Sequence, residues 1–264
     1  MKHFGKIISL LALAVILAGC HADKGLQTEF CKKDQTFAFM EGSQEGLAIK
    51  LDVEYVTGGL KKEVMEAVNQ VVIGAAFGNK YEGLSVVEAS EKYVEDSFRN
   101  YKESNDAFLA DMDENASDEL GMDEMNRAAF DWQMMLDASF LAPYEHYLTY
   151  LVETYSFEGG AHGMSYKIPV VLDSKTGAVV SEEDFFTSGY KEELGKRLTA
   201  HLHDAFENEE DYECLFTKDI EPNGNFYLTA DGVVYVYGAY DIGPYYLGII
   251  EVTVPWTELE GLLK

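Results

Sequence analysis

The stretch "YLTYLVETYSFEGGAHGMSYKIPVVLD", residues 147–173, places one glycine-rich turn between two runs rich in aromatic and β-branched residues. Tyr147 to Phe157 reads as a strand. So does Met164 to Leu172, where Tyr166, Ile168, Val170 and Leu172 alternate with their neighbours. The link is Glu158-Gly159-Gly160-Ala161-His162-Gly163, with glycine available wherever the turn needs positive φ. His162 invites a metal or general-base reading. No second His or Cys stands near it at ligand spacing, so the loop reads first as a structural turn.

Working outward, Leu47, Ile49, Leu51, Val53 and Tyr55 alternate with Lys50, Asp52 and Glu54, the signature of a half-buried strand. Leu60 to Phe77 repeats apolar residues at helical spacing. Ser85 with Glu88 three residues on is a capping box that opens a second helix. Trp132 to Tyr144 is apolar but without period. Downstream, "DSKTG" at 173–177 is a turn leading to a short strand at Ala178–Val180, and Ser181 starts a helix. A longer helix is expected over Tyr190–Glu207, with Leu194, Leu198, Leu202 and Phe206 in register. Asn225–Thr229 and Val233–Tyr237 flank Asp231-Gly232 as a hairpin. Tyr246–Val254 reads as a strand and Trp256–Leu263 as a closing helix. Strands cluster and helices sit in separate runs, which predicts an α+β fold with a mostly antiparallel sheet and helices packed against it.

The N-terminus carries an address. Lys2 and Lys6 precede an apolar run from Ile7 to Leu17, which is shorter than the ~20 residues a membrane-spanning helix needs. Leu17-Ala18-Gly19-Cys20 then has the form of a bacterial lipobox. The expected organisation is a signal peptide at 1–19, a tether and entry segment at 20–45 lipidated on Cys20, an α+β part at 46–145 and a second at 146–264, the last two packed as one unit. The expected location is extracytoplasmic, on the cell membrane or outer membrane, in the periplasm or at the cell surface. Lipidation of Cys20 leaves Cys31 and Cys214 as a candidate disulfide in an oxidising compartment.

The chain carries a formal net charge of −27, and loss of Lys2 and Lys6 with the leader takes it to −29. That charge argues against nucleic acid and favours cationic partners. The most acidic stretch, Glu103–Asn126, has no Lys or Arg. Within it Asp111, Asp113 and Asn115 set oxygen ligands at alternate positions, like the start of a calcium loop. The match stops at Ala116 and Met122, where an EF-hand requires Gly and Glu. His201 and His203 sit two residues apart and diverge by about 200° on a helix, so they cannot chelate one ion together. No G-x-S-x-G, S-x-x-K, H-E-x-x-H, phosphate-loop or dinucleotide motif is present, and no cofactor is expected.

Taken together, "YSFEGGAHG", "LDSKTGAVVSEEDFF", "FYLTADGVVYVYGAYDIGPYYLG" and "EVTVPWTEL" resemble the extracellular domain shared by the lysozyme-sensing anti-sigma factor RsiV and the peptidoglycan deacetylase PdaC, where it is the non-catalytic part. The resemblance runs from about residue 45 to the C-terminus and is densest over 147–260. It implies a non-catalytic envelope domain that binds a lysozyme-like cationic protein or a peptidoglycan fragment. A cell-wall hydrolase or a purely structural lipoprotein are the alternatives. The candidate binding rim is Glu158, His162, Tyr240, Asp241, Tyr245 and Tyr246, with packing around Pro244 as the other role for the tyrosines.

Overall fold

The structure is a computed structural model that describes residues 25–40, 43, 45–115 and 129–264, with backbone only over 111–115. The expected signal peptide and Cys20 lie outside the described residues.

Five strands form one sheet in chain order: β1 (Gln27–Ala38), β2 (Gly46–Gly58), β3 (Trp132–Phe140), β4 (Tyr147–Glu158) and β5 (Met164–Asp173). All neighbours are antiparallel except β2 and β3, which run parallel. Parallel neighbours need a long crossover. Here it contains α1 (Lys62–Phe77) and α2 (Val86–Asn115). The α1 stripe Val64, Val68, Val72 is buried against Leu47, Ile49, Leu51 and Val53 of β2 and Leu148, Tyr150 and Val152 of β4 in one core. Each such aliphatic side chain contributes about 1.5–3 kcal/mol on full burial.

A second, three-stranded antiparallel sheet consists of β6 (Phe226–Leu228), β7 (Gly232–Tyr237) and β8 (Ile250–Pro255). It follows α3 (Glu182–Phe185), α4 (Tyr190–His201) and α5 (Glu209–Glu213). Leu194 and Leu198 of α4, with Leu202 in the 3-10 turn after it, pack on Tyr235, Val252 and Val254 in a second core. The sheets are joined by Lys167 Nζ, 2.9 Å from Glu251, and by Asn225 Nδ2, which donates to Lys167 O. Tyr227 Oη donates to the same Glu251 at 2.7 Å.

The α+β class and the 147–173 hairpin stand as the sequence predicts. The capping box also forms, with Ser85 N donating to Glu88 Oε2 and Glu88 N to Ser85 Oγ. The sheet is mostly antiparallel, as the sequence predicts, with β2 and β3 as its one parallel pair. Several other expectations are corrected. Residues 27–38, expected in the tether, are edge strand β1. Its polar alternation follows from having one face on the helices and one in solvent. Trp132–Phe140 is a strand whose period is hidden because Leu136, Ala138 and Phe140 are buried while Met135 on the other face is also apolar. The expected division at residue 145 falls between β3 and β4, which pair in one sheet. Val179 makes only an isolated bridge to Leu172, the expected helix over Tyr190–Glu207 passes into a 3-10 turn at Leu202–Ala205, and of the expected closing helix Trp256–Leu263 only the 3-10 turn Trp256–Glu258 forms.

Two buried carboxylates organise the cores. Glu54, 2% exposed, stands just past the last β2–β3 pair, Val53↔Ala138. Its Oε2 accepts Phe140 N–H at 2.7 Å, and its Oε1 accepts the Thr28 hydroxyl at 2.6 Å. Tyr150 Oη donates to Glu54 O. One residue thus ties β1, β2, β3 and β4. In the second core Glu182 accepts from Tyr190 Oη at 2.6 Å, Tyr235 Oη at 2.8 Å and Gly224 N at 2.9 Å.

Glu54→Leu keeps the volume but orphans a buried N–H and a hydroxyl, so it should cost on the order of 3 kcal/mol, read from the urea midpoint. The tyrosines predict an alkaline limit. Burial, with Glu182 beside them, raises the hydroxyls of Tyr190 and Tyr235 well above 10. In the unfolded chain they ionise near 10. The folded state then binds more protons, so stability is full below pH 10 and falls above it by about 1.4 kcal/mol per pH unit for each such tyrosine. Urea midpoints between pH 8 and about 11 should show this fall, and Tyr235→Phe should reduce its slope.

Candidate functional site

The β4–β5 turn is built by close approach. Gly159 has φ 78°, and a Cβ there would meet Ala129 O at 2.5 Å. A Cβ at Gly163 would meet the Tyr155 ring at 2.4 Å. His162 stacks on Tyr245, with ring centroids 4.0 Å apart and planes at 25°. Its Nδ1 lies 3.1 Å from Gly163 O, which also accepts the Tyr245 hydroxyl. Tyr240 stands 5.7 Å from Tyr245, half exposed. Its φ is 73°, a left-handed conformation that costs a bulky residue on the order of 1–3 kcal/mol. Asp241 Oδ2 accepts Gly238 N at 2.6 Å and fixes the start of this loop.

Of the rim expected from sequence, the fold therefore brings His162, Tyr240, Asp241 and Tyr245 together. It sends two members elsewhere. Glu158 pairs across with Trp132, lines a groove with α2, and its charge helps raise the Tyr93 hydroxyl, whose main cause is burial. Tyr246 lines a different cleft with Phe206, Asn208 and Asp211. The thiol of Cys214 beside it pushes its hydroxyl up to about 12. The candidate disulfide is corrected: both thiols are free. Cys31 is buried on β1 with Sγ 3.1 Å from Ser90 Oγ, while Cys214 is exposed at the end of α5. Asp111, Asp113 and Asn115, expected in a loop, stand on helical backbone at the end of α2. A calcium loop wraps its chain around the ion, which helical backbone does not do. Among the described residues no group of three or more His, Cys, Asp or Glu is placed to hold a metal. His201 and His203 are engaged separately, the first by Asp204 and Glu258 and the second by Glu209.

Strand register assembles something that sequence reasoning missed. On the sheet face turned away from α1 and α2, Lys32, Asp52, Asp137, Glu153 and Lys167 stand directly opposite one another, one from each strand. Lys32 pairs with Asp52 at 2.5 Å, and Lys167 reaches Glu153 at 3.4 Å. Asp137, in the middle, has a carboxylate on each side and no cation bonded to it among the described residues. Its carboxyl is held above the ordinary aspartate range by loss of water, then by Asp52 and Glu153. Like charges directly opposite on adjacent strands are destabilising. The next row on the same face is Lys50, Met135, Tyr155 and Ser165. Met135 is 47% exposed, and Tyr155 leads through Gly163 to the His162–Tyr245 stack. The Asp52–Asp137–Glu153 row and the Met135–Tyr155 pair are thus successive rows on one sheet face. The alternation of Asp52 and of Glu153 with apolar neighbours is legible in sequence; their alignment is not, because it depends on the parallel pairing of Asp52 with Asp137 across 84 intervening residues, 53–136.

These features define a two-sheet α+β fold, which comparison with known proteins finds elsewhere. Residues 41–165 match the family described as "Deacetylase PdaC", and residues 183–257 match "Protein of unknown function (DUF3298)". A DUF3298 family member from Bacteroides fragilis shares the fold with a TM-score of 0.78 at 24% identity, covering 91% of this chain and 94% of that one. A DUF3298 family protein from Pseudomonas aeruginosa aligns with a TM-score of 0.61 at 19% identity, over 90% and 94% of the two chains. No curated protein matches. The PdaC-type match covers most of the five-stranded sheet and its helices, and the DUF3298 match covers most of the second core.

Asp137→Asn relieves the repulsion and should stabilise the fold by about 0.5 kcal/mol at neutral pH. A raised carboxyl is a cost that grows as pH rises past the unfolded value near 3.9 and is absent below it. The gain from Asp137→Asn should therefore vanish near pH 3, which paired urea titrations at the two pH values would read.

Proposed function

We propose that the chain is a lipid-anchored cell-envelope domain, acylated at Cys20, that binds a cationic protein on the outer face of its five-stranded sheet. The lipobox sequence supports the anchor. The observation that carries the partner is Asp137, an aspartate without a bonded cation between Asp52 and Glu153 on an open strand face. A guanidinium laid across two adjacent strands, about 4.8 Å apart, would bond two carboxylates of the row at once. The exposed Met135 and the ring of Tyr155 would take the aliphatic stem of such a side chain. The net charge of −27 steers basic partners to this face and repels polyanions. Binding is favoured over catalysis because His162 bonds to no carboxylate among the described residues and Glu182 is saturated by two tyrosines and a backbone N–H.

Hen lysozyme serves as a basic probe. The reading predicts retention on the immobilised chain that weakens but persists when salt is raised to about 0.5 M, since screening removes steering before it removes contact pairs. Asp137→Asn with Glu153→Gln should lower the affinity at least about tenfold, the equivalent of 1.4 kcal/mol. Absence of retention at either salt concentration sinks the lysozyme-like version. Turnover of muropeptides abolished by His162→Ala would replace the binding reading with a hydrolase.

A further inference from the structure

On the helix side of the same sheet, α2 and the first residues of β3 leave a groove of about 360 Å³. Ser97, Asn100 and Ser104 come from α2, Trp132 and Met134 from β3, and Glu158 from the end of β4. Strand pairing places Trp132 opposite Glu158. The indole is held from two sides: Nε1–H donates to Ala129 O at 3.0 Å, and the Tyr101 ring meets it edge-on at 5.4 Å. It is half-buried and is a wall of the groove.

We infer that this groove binds a short, uncharged glycan of hexose or N-acetylhexosamine units. A pyranose ring has an apolar C–H face and a rim of hydroxyls. The groove offers the complement: a fixed indole and a thioether for the apolar face, and hydroxyl, amide and carboxylate groups for the rim. Ser97, Ser104 and Asn100 both donate and accept, while Glu158 accepts only. Its volume falls in the range of small-ligand sites, about 300–1,000 Å³. A wholly apolar ligand would leave these polar groups unpaired. Phosphates and acidic sugars would meet the carboxylates of Glu158 and of Glu103, which also lines the groove from α2. This rests on the chain being a binding domain, but not on the cationic partner: the acidic row lies on the opposite face of the sheet.

The test uses the full chain and tetra-N-acetylchitotetraose as probe, followed by calorimetry and by indole fluorescence. The chain has two tryptophans, so Trp256→Phe makes Trp132 the sole reporter. The expected result is saturable binding with Kd of about 1 mM or tighter and a matching shift of Trp132 emission. Asn100→Ala and Glu158→Ala, both exposed, should each weaken binding about threefold to tenfold with unchanged circular dichroism. An oligogalacturonate of equal length should bind at least tenfold more weakly. Calorimetry on the unsubstituted chain protects the test should Trp256→Phe perturb the fold. No saturable heat up to about ten times that Kd, or binding unaffected by both substitutions, overturns the inference. Equal binding of the acidic oligosaccharide overturns it as well. Lysozyme retention with no glycan binding would defeat this site and leave the cationic-partner reading standing.

Discussion

The Glu54 carboxylate is the interaction on which the arrangement depends. Parallel pairing of β2 and β3 ends at Val53↔Ala138, and beyond it the N–H of Phe140 would face no strand partner. Glu54 accepts it and holds Thr28 on the opposite side, while Tyr150 bonds its backbone oxygen. A one-residue slip on either side would break three bonds and also turn Leu47, Ile49 and Leu51 out of the core. Because a buried acceptor left unmatched is costly, the register is fixed with little freedom. Both surfaces with ligand chemistry follow from it: Asp52 falls beside Asp137 on one face, and Trp132 falls under α2 on the other.

The second sheet matters to the first through its loop. Lys167 is shared between Glu153 of the row and Glu251 of β8, so the end of the acidic row is also the seam between the sheets. The Gly238–Gly248 segment adds Tyr240 and Tyr245 to the β4–β5 turn. The unfavourable φ of Tyr240 and the repulsion at Asp137 are two local costs, offset by the Glu54 and Glu182 networks and two apolar cores. Destabilising features of this kind are expected where a fold serves binding.

Much of this architecture was legible in sequence where a period was clean. The β4–β5 hairpin, the β2 alternation, the Ser85 capping box and the Leu194–Leu198–Leu202 stripe each carry a local signal. β1 was hidden because its solvent face, including Lys32 and Asp34, makes it look like tether. β3 was hidden because Met135 breaks its alternation. Four of the six expected rim residues assembled because His162 and the tyrosine loop are brought together by packing of the two sheets. Glu158 went to the opposite face because it pairs with Trp132. The acidic row and the Trp132 groove have no local signal at all, since each takes residues from three or more elements whose alignment only the crossover determines.

The proposed cationic-partner reading turns on Asp137, which has no cation bonded to it among the described residues. The most direct measurement is the carboxyl ¹³C titration of Asp137, alone and saturated with a basic protein such as hen lysozyme. The account predicts a midpoint above the ordinary aspartate value of about 3.9 in the free chain, falling below that value in the complex. A midpoint at the ordinary value in the free chain, or one that does not move on saturation, would contradict it.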